Sequence, residues 1–217
     1  MKYLAKTIES AFSGKLIWFA FLSLLIAVLI IGLFSFVAGF LANQLFDFGI
    51  PWLSGGLAAV IGIATGIGGW FMIPALTRLM GAAFMEPVID CVERESYPSA
   101  VRKTAPRILP DVMHDIRFVM YAVFLNLLIS PLYLIGIGFF ASVALNTHLL
   151  GREFFETAAG YHIGKPAAEK LLSRHRMKVY TGGFLITIAT LVPILNLFAP
   201  LLGVVYMVHL YHDVRFA

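Results

Sequence analysis

The sequence predicts an all-α integral membrane protein with two full transmembrane helices, two half-membrane (re-entrant) helical hairpins and short cytoplasmic interfacial helices. Of its 217 residues, 60% are hydrophobic and only 13% are charged, whereas soluble domains are about 45–50% apolar and about 25% charged. The charged residues lie between long apolar runs, and two of these runs contain Pro or Gly near their middle. We expect a single membrane domain that comprises residues 1–217.

The net charge of +4 and the pI near 9.3 arise from basic residues in the segments between apolar runs. Basic residues in such segments control membrane topology and contact anionic lipid. We therefore expect membrane lipid as a partner, and no nucleic acid. The single cysteine, Cys91, excludes an intramolecular disulfide and a cysteine-based metal site, so a plain thiol is expected there.

The first predicted span comprises residues 16–42 and is long enough to cross a bilayer with some tilt. Lys2, Lys6 and Lys15 precede it, and they place the N-terminus in the cytoplasm because basic segments stay on that side. The following loop, 43–54, contains no Lys or Arg, as expected of an exported loop. These features predict a multi-pass protein whose chain begins inside the cell.

The second predicted span comprises residues 56–85 and returns to the cytoplasm. Arg78 lies in its last turns, as an anchor and as a candidate residue of an anion pathway near the cytoplasmic mouth. Small residues recur along one face of this helix. Such a face allows another helix to approach closely, within the chain or between subunits. The residues are Gly55, Ala59, Gly62, Gly66 and Gly69.

The apolar run 118–146 is predicted to form the first half-membrane hairpin. Lys and Arg flank the run on both sides, so both of its ends belong in the cytoplasm. Pro131, Gly136 and Gly138 supply a turn near its middle. Each arm then has about 14 residues, or roughly 20 Å of helix, too short to cross a hydrocarbon core of roughly 30 Å.

The same argument predicts a second hairpin over residues 180–212, flanked by Lys178 and Arg215 and interrupted by the segment 193–200. We expect its returning helix to begin near Asn196 to Leu201, with Pro200 in the first helical position. The returning helix of the first hairpin is expected to begin near Gly136 to Phe140.

Short amphipathic segments lie outside the apolar runs, and we predict that they form helices in the membrane interface. In each segment, apolar residues share one helical face: Leu4, Ile8 and Phe12 near the N-terminus; Val88, Ile89 and Val92 after the second span; and Leu150, Phe154 and Ala158 after the first hairpin.

Neither hairpin contains a charged residue. An embedded hydrolase needs a base beside its nucleophile, so we predict no catalytic residues and no enzyme. A proton-coupled carrier usually keeps an ionisable residue such as an acid in its spans, so the lack of a buried acid favours passive flow over coupling to protons. The two returning helices begin within the membrane, where a helix N-terminus carries partial positive charge and favours an anion. Gly136, Gly138 and Asn196 are therefore candidate residues of an anion pathway. The alternative is that both helix ends are capped internally.

His209 and His212 are spaced i, i+3, a spacing that can bind zinc. No third ligand is evident from the sequence, so we interpret them as interfacial histidines. We predict no metal site and no cofactor.

Three segments carry a resemblance to a known family: 84–88, which reads Phe-Met-Glu-Pro-Val; 150–156, which reads Leu-Gly-Arg-Glu-Phe-Phe-Glu; and 192–200, which reads Val-Pro-Ile-Leu-Asn-Leu-Phe-Ala-Pro. They resemble the bacterial sulfate permeases called CysZ and the wider etoposide-induced membrane-protein family. This resemblance implies two full spans, two half-membrane hairpins, a homo-oligomer (a dimer or larger) and sulfate uptake across the bacterial inner membrane.

One departure from the family lies at the start of the first span. Sulfate permeases of the family resemble Gly-Leu-Arg-Arg there, whereas this chain has Gly14-Lys15-Leu16-Ile17. Lys15 cannot make the bidentate contact that Arg makes with an oxyanion. Gly14 and Lys15 remain candidate residues of the pathway. The eukaryotic branch of the family suggests the alternative of a non-transporting membrane scaffold or membrane-shaping protein.

Overall fold

The computed structural model describes residues 2–11, 14–45, 51–100 and 108–215, and every regular element within these ranges is helical. The helices are α1 (Lys2–Ala11), α2 (Gly14–Leu45), α3 (Pro51–Ala83), α4 (Met85–Ser96), α5 (Ile108–Ile129), α6 (Gly138–Ile163), α7 (Lys165–Arg174), α8 (Arg176–Leu191) and α9 (Pro193–Val214). Short 3₁₀ turns form at Pro98–Ala100 and Ser130–Tyr133. The predicted all-α class is confirmed.

The chain divides into two compact units, one of residues 18–83 and one of residues 1–17 with 84–217. In the first unit, α2 and α3 pack against each other where glycines replace larger side chains. A Cβ built on Gly62 would lie 3.6 Å from the Ser35 carbonyl oxygen and 3.8 Å from the Gly39 Cα. Gly66 and Gly69 also face α2, whereas a Cβ on Gly55 would meet nothing within 4 Å. The predicted close contact thus involves the later part of the small-residue face.

Two of the described helices are long and apolar enough to cross a membrane: Gly14–Ala42 and Pro110–Tyr133. The first agrees with the predicted span 16–42. Most of the predicted span 56–85 lies in the continuous helix α3, which ends at Ala83. Leu53–Gly69 is a shorter described apolar stretch of this helix, and the side chains of residues 70–83 lie outside the described part. Membrane insertion is further supported by the many large apolar side chains that α2 and α5 expose.

The first hairpin turns where the sequence predicts. The 3₁₀ turn Ser130–Tyr133 follows α5, and Gly136 has a φ of +79°, which residues other than Gly rarely adopt. Gly138 begins α6 and is buried. A Cβ there would come within 2.6 Å of the Tyr133 Cα, so the turn has no room for a larger residue. The helices α5 and α6 have 22 and 26 residues, about 33 and 39 Å.

The arms of the first hairpin are therefore longer than the predicted 14 residues. The polar flanks of the apolar run continue in the same helices, and residues 150–163 form the second half of α6 rather than a separate interfacial helix. Phe154 and Ala158 of this half are buried as a core face. The half-membrane depth of the hairpin remains a prediction.

The second hairpin turns earlier than the sequence predicts. Helix α9 begins at Pro193, after Val192 in an extended conformation, and Pro200 lies inside the helix. Residues before a proline avoid the helical region, and proline suits the first helical position. Both rules apply to Pro193 as well as to Pro200, and the helix begins at Pro193. The expected start near Asn196 to Leu201 is therefore wrong. Asn196 lies in the first turn, and its backbone N–H donates to the Val192 carbonyl.

The core of the larger unit forms where α6, α8 and α9 pack together. Gly151 of α6 and Gly183 of α8 allow these two helices to meet backbone to backbone. Gly203 of α9 accommodates the ring of Phe154, and Gly182 of α8 accommodates Tyr206 and Met207. The two hairpins are thus packed against each other through their returning and outgoing helices.

Helices α1 and α4 pack on α9. Val88, Ile89 and Val92 of α4 are buried, which confirms the predicted apolar face. Helix α1 instead buries the polar residues Thr7 and Ser10, of which Ser10 lies against His209 of α9, and it exposes Ile8. Of the other residues on its predicted apolar face, the side chain of Leu4 and residue Phe12 lie outside the described part. The outward position of Ile8 is compatible with the predicted interfacial location, which stays a prediction.

Candidate functional site

The predicted pathway residues Gly14 and Lys15 lie at the first turn of α2, and both are exposed. A Cβ on Gly14 would meet nothing within 4 Å. Lys15 lies near Cys91, where burial raises the pKa of the thiol and the positive charge of Lys15 partly offsets that effect. The predicted pathway residue Arg78 belongs to α3, but its side chain lies outside the described part.

The two returning helices start without a side-chain cap. Ile137 precedes α6 and Val192 precedes α9, and neither of these two residues makes a side-chain cap hydrogen bond. The first N–H groups of a helix have no partner within the helix. The predicted residues Gly136 and Gly138 lie beside the first start and Asn196 beside the second. Both starts therefore keep the partial positive charge on which an anion site depends.

A buried polar cluster that the sequence did not predict joins α4, α6 and α9. Glu93 of α4 has no exposed surface, and its Oε1 accepts hydrogen bonds from His162 Nε2 at 2.6 Å and His212 Nε2 at 2.8 Å. The two imidazoles are 9% and 3% exposed. Glu93 Oε2 is buried without a hydrogen-bond partner among the described residues. The ligand atoms of the three residues all lie within 4.8 Å of one another, close enough to hold a metal ion.

The hydrogen bonds determine the charge of Glu93. Burial alone raises the pKa of its carboxyl group, but the hydrogen bonds and charges of His162 and His212 outweigh burial and hold the pKa below its ordinary value. Glu93 is therefore a carboxylate at neutral pH, and both imidazoles point a nitrogen at it.

Aromatic rings hold the two imidazoles in place. Tyr97 stacks on His212 with ring centroids 4.0 Å apart, and Tyr211 stacks on His162 with centroids 5.4 Å apart. His209 does not join the cluster, because its Nδ1 lies 3.1 Å from the Tyr97 hydroxyl and its Nε2 lies 3.2 Å from Ser10 Oγ. The two histidines that the sequence pairs by spacing thus have different roles.

A cavity of about 210 Å³ lies beside this cluster. It brings together one lysine, one aspartate, two histidines and two tyrosines from α1, α9 and the segment after α4. The lining residues are Tyr3, Lys6, Tyr97, His209, His212 and Asp213. Since His212 belongs to both the cavity and the buried cluster, the cavity adjoins that cluster.

A second buried network joins α5, α6 and α7. Arg152 Nε donates to Glu156 Oε1 and its Nη2 donates to Glu169 Oε1, each at 2.7 Å. His114 Nε2 lies 2.7 Å from Glu156 Oε2. Burial raises the pKa of Glu156, and His114 and Arg152 only partly offset this effect. These contacts satisfy the charged groups within the fold, so we interpret the network as structural.

The sequence offered one signal for the Glu93 cluster, the i, i+3 pair of His209 and His212. Of that pair only His212 belongs to the cluster. The other two members, Glu93 and His162, lie far away in the chain, and Glu93 follows the buried Ile89 by one helical turn on the same face of α4. An acid on an apolar helix face is the feature that would have indicated a buried polar site.

The comparisons with known proteins place the chain beside one family. A family model described as Sulfate transporter CysZ/Etoposide-induced protein 2.4 matches residues 3–200. Comparison with curated proteins gave no match, and comparison with solved structures gave none. The matched range extends from α1 into the first turns of α9 and includes both hairpin turns.

Proposed function

Because this chain belongs to the family of sulfate transporter CysZ and etoposide-induced protein 2.4, a transporter-type family rather than an enzyme family, we propose that it is an anion channel or permease of the bacterial inner membrane. Its substrate is an inorganic anion, and sulfate, imported for sulfur assimilation, is the first candidate. The family match over residues 3–200 is the observation that carries this proposal.

The starts of α6 and α9 supply the positive ends that a divalent anion needs inside an apolar hairpin. The residue before each start makes no side-chain cap, and the apolar runs 118–146 and 180–212 contain no Lys, Arg, Asp or Glu. Backbone N–H groups beside Gly136 and Gly138, and the first turn that contains Asn196, then stabilise the anion through partial charges. Partial charges bind weakly enough to release the ion again, which suits conduction.

Lys15 and Arg78 act in this proposal at the cytoplasmic mouth, where they attract or release the anion without deep coordination. Lys15 is exposed at the start of α2, as such a role requires. The apolar runs of the two hairpins, 118–146 and 180–212, contain no acid that could exchange a proton during transport. We therefore propose passive flow of the anion down its gradient, without coupling to protons.

A homo-oligomer, a dimer or larger, would cover part of the apolar surface that α5 exposes. The outer side chains of this helix include Met120, Val123, Phe124, Leu127 and Leu128, all exposed in the single chain. Lipid covers the remainder. This assembly deepens the proposal, because neighbouring subunits would shield the hairpin turns, whose backbone groups cannot face lipid unpaired.

The proposal is tested by measuring radiolabelled sulfate uptake into liposomes that contain the purified chain, with empty liposomes as the control. We expect uptake that follows the sulfate gradient, needs no imposed pH gradient and decreases when another divalent oxyanion competes. Uptake that does not exceed the empty liposomes would contradict the proposal and favour the membrane scaffold or membrane-shaping alternative. Uptake that requires a pH gradient would contradict the passive mechanism.

A further inference from the structure

We propose that Glu93, His162 and His212 form a binding site for one zinc ion, which joins α4 to one helix of each hairpin. This inference rests on the geometry of the three side chains and is independent of anion transport. Two imidazole nitrogens and one carboxylate oxygen are a donor set that zinc accepts in proteins, with an additional position left for water or another ligand.

The three ligand atoms already converge. They lie within 4.8 Å of one another, and atoms bound at about 2.0–2.2 Å to a common tetrahedral zinc ion lie roughly 3.3–3.6 Å apart. The two Nε2 atoms lie 2.6 and 2.8 Å from Glu93 Oε1, so a zinc ion between them requires the side chains to separate by less than about 1 Å. Each imidazole must carry its proton on Nδ1 when Nε2 binds the metal.

The carboxylate gives a second, independent indication. Glu93 is fully buried, and its Oε2 has no hydrogen-bond partner in the part of the chain that the structure describes. Buried polar atoms in folded proteins are nearly always satisfied, and an unsatisfied one calls for an explanation such as an ion. A zinc ion that both oxygens of the carboxylate coordinate would give Oε2 a partner and neutralise the buried charge, and so supplies that explanation.

The surroundings fix the imidazoles as metal sites require. Tyr97 stacks on His212 and Tyr211 stacks on His162, which limits ring rotation and pre-organises the ligand atoms. The cavity of about 210 Å³ that His212 and Tyr97 line adjoins the cluster on the side of His212. Asp213 also lines this cavity and adds negative charge, whereas Lys6 adds positive charge.

The nature of the ligands favours zinc over the common hard cations. Mg²⁺ and Ca²⁺ prefer sets of oxygen ligands, whereas imidazole suits zinc and its transition-metal neighbours. The site would hold helices that are distant in sequence, since Glu93 lies 69 residues from His162 and 119 residues from His212. Zinc binding should therefore stabilise the packing of α4, α6 and α9.

The test measures zinc binding to the full chain in detergent after its affinity tag has been removed. Isothermal titration and elemental analysis should give one zinc ion per chain, and excess Mg²⁺ or Ca²⁺ should not displace it. Zinc should raise the thermal unfolding temperature. Changes in outer groups around a zinc site weaken binding by about 10–100-fold, so loss of a direct ligand in Glu93→Gln, His162→Gln or His212→Gln should weaken it by more than about 100-fold.

Two matched controls should retain zinc binding. His209→Gln removes a histidine one helical turn before His212, and His114→Gln removes the histidine of the other buried network. Circular dichroism and gel filtration verify that each variant is folded. If the ligand variants fail to fold, X-ray absorption at the zinc edge of the unmodified protein decides, with nitrogen and oxygen neighbours expected at about 2.0–2.2 Å and no sulfur.

Zinc binding that is unchanged in the three ligand variants, or lost in His209→Gln, would overturn the assignment. A sulfur neighbour in the absorption spectrum would overturn it in favour of Cys91. If the unmodified protein does not bind zinc stoichiometrically, the metal site is wrong. The cluster is then a carboxylate that shares protons with two histidines.

Discussion

Gly151 of α6 and Gly183 of α8 meet at a helix crossing where the backbones themselves are in contact. A Cβ built on Gly183 would lie 2.8 Å from the Gly151 Cα and 2.9 Å from the Gly151 nitrogen, and it would also overlap the Thr147 carbonyl oxygen. A Cβ on Gly151 would lie 3.2 Å from the Gly183 Cα. Since each helix belongs to a different hairpin, this pair sets how closely the hairpins approach.

Gly183→Ala should separate the two hairpins and lower stability. The added methyl group meets backbone atoms, which cannot rotate away as a flexible side chain can, and overpacking of this kind typically costs about 1–3 kcal/mol. The measurement is thermal unfolding in detergent. Gly68→Ala is the control, because a Cβ there meets nothing within 4 Å, and alanine in a helix is more stable than glycine by about 0.5–1 kcal/mol. Equal unfolding temperatures for the two variants would contradict the crossing.

Gly62 of α3 lies in close contact with α2, but a Cβ added there would not overlap it. The nearest atoms to a Cβ there are at 3.6 and 3.8 Å, ordinary van der Waals distances. Gly62→Ala should therefore be tolerated, whereas Gly62→Leu should force α2 and α3 apart and lower the unfolding temperature. Gly55→Leu serves as control on the same helix, since Gly55 faces open space. The contact would be excluded if Gly62→Leu and Gly55→Leu were equally stable.

Arg152 should be much harder to replace than its exposed partner Glu169. Arg152→Gln removes the guanidinium and leaves the buried Glu156 without this cation, and breaking a buried pair in this way costs about 3–5 kcal/mol. The Arg152 side chain is only 19% exposed, whereas that of Glu169 is 47% exposed, so Glu169→Gln should cost less than about 1 kcal/mol. Denaturation of the two variants in parallel tests this order. A larger loss of stability in Glu169→Gln than in the Arg152 variant would contradict this order.

Tyr3 makes the docking of α1 on α9 sensitive to alkaline pH. Its hydroxyl donates to Asp213 Oδ2 at 2.5 Å, and burial followed by this hydrogen bond raises the pKa of Tyr3 from 10.0 to about 12. The raised pKa means that the fold favours the neutral phenol. Its contribution to stability is complete below pH 10 and is lost as the pH rises toward 12.

The comparison of Tyr3→Phe with the unmodified protein measures this contribution. We expect the variant to be less stable by about 1 kcal/mol at neutral pH, the usual value of a hydrogen bond, and the difference to disappear between pH 10 and pH 12. Tyr133→Phe, at an exposed position, should show no such difference. A gap between Tyr3→Phe and the unmodified protein that persists at pH 12 would contradict the role of the phenol.

Local signals explain which parts of the fold the sequence could predict. Pro131 and Gly136 act through their own backbone conformations, so the first turn was predicted at the correct place. At the second turn, Pro193 and Pro200 satisfy the same local rule, and only the packing of the hairpin decides between them. The prediction that the returning helix begins with Pro200 was therefore wrong, because the helix begins at Pro193.

The buried cluster depends on contacts that no local pattern contains. Glu93 meets His162 and His212 only because α4, α6 and α9 pack together, over separations of 69 and 119 residues. The Gly151–Gly183 crossing likewise joins two hairpins. The small-residue face of α3 was recognised because its period lies within one helix, and its later members Gly62, Gly66 and Gly69 do face α2.

Asn196→Leu tests the proposed anion pathway at the start of α9. Asn196 lies in the first turn after Val192 and Pro193, beside a helix start that has no side-chain cap. Leucine has the same branched shape, although it is larger, and it removes the amide dipole next to the positive helix end, so we expect sulfate flux in liposomes to be abolished while the protein stays folded. Asn126→Leu is the matched control, because the Asn126 amide is exposed and donates to the Ala122 carbonyl of its own helix. Flux that survives Asn196→Leu, or that is lost equally in Asn126→Leu, would contradict a specific role for this helix start and leave the anion to cross elsewhere.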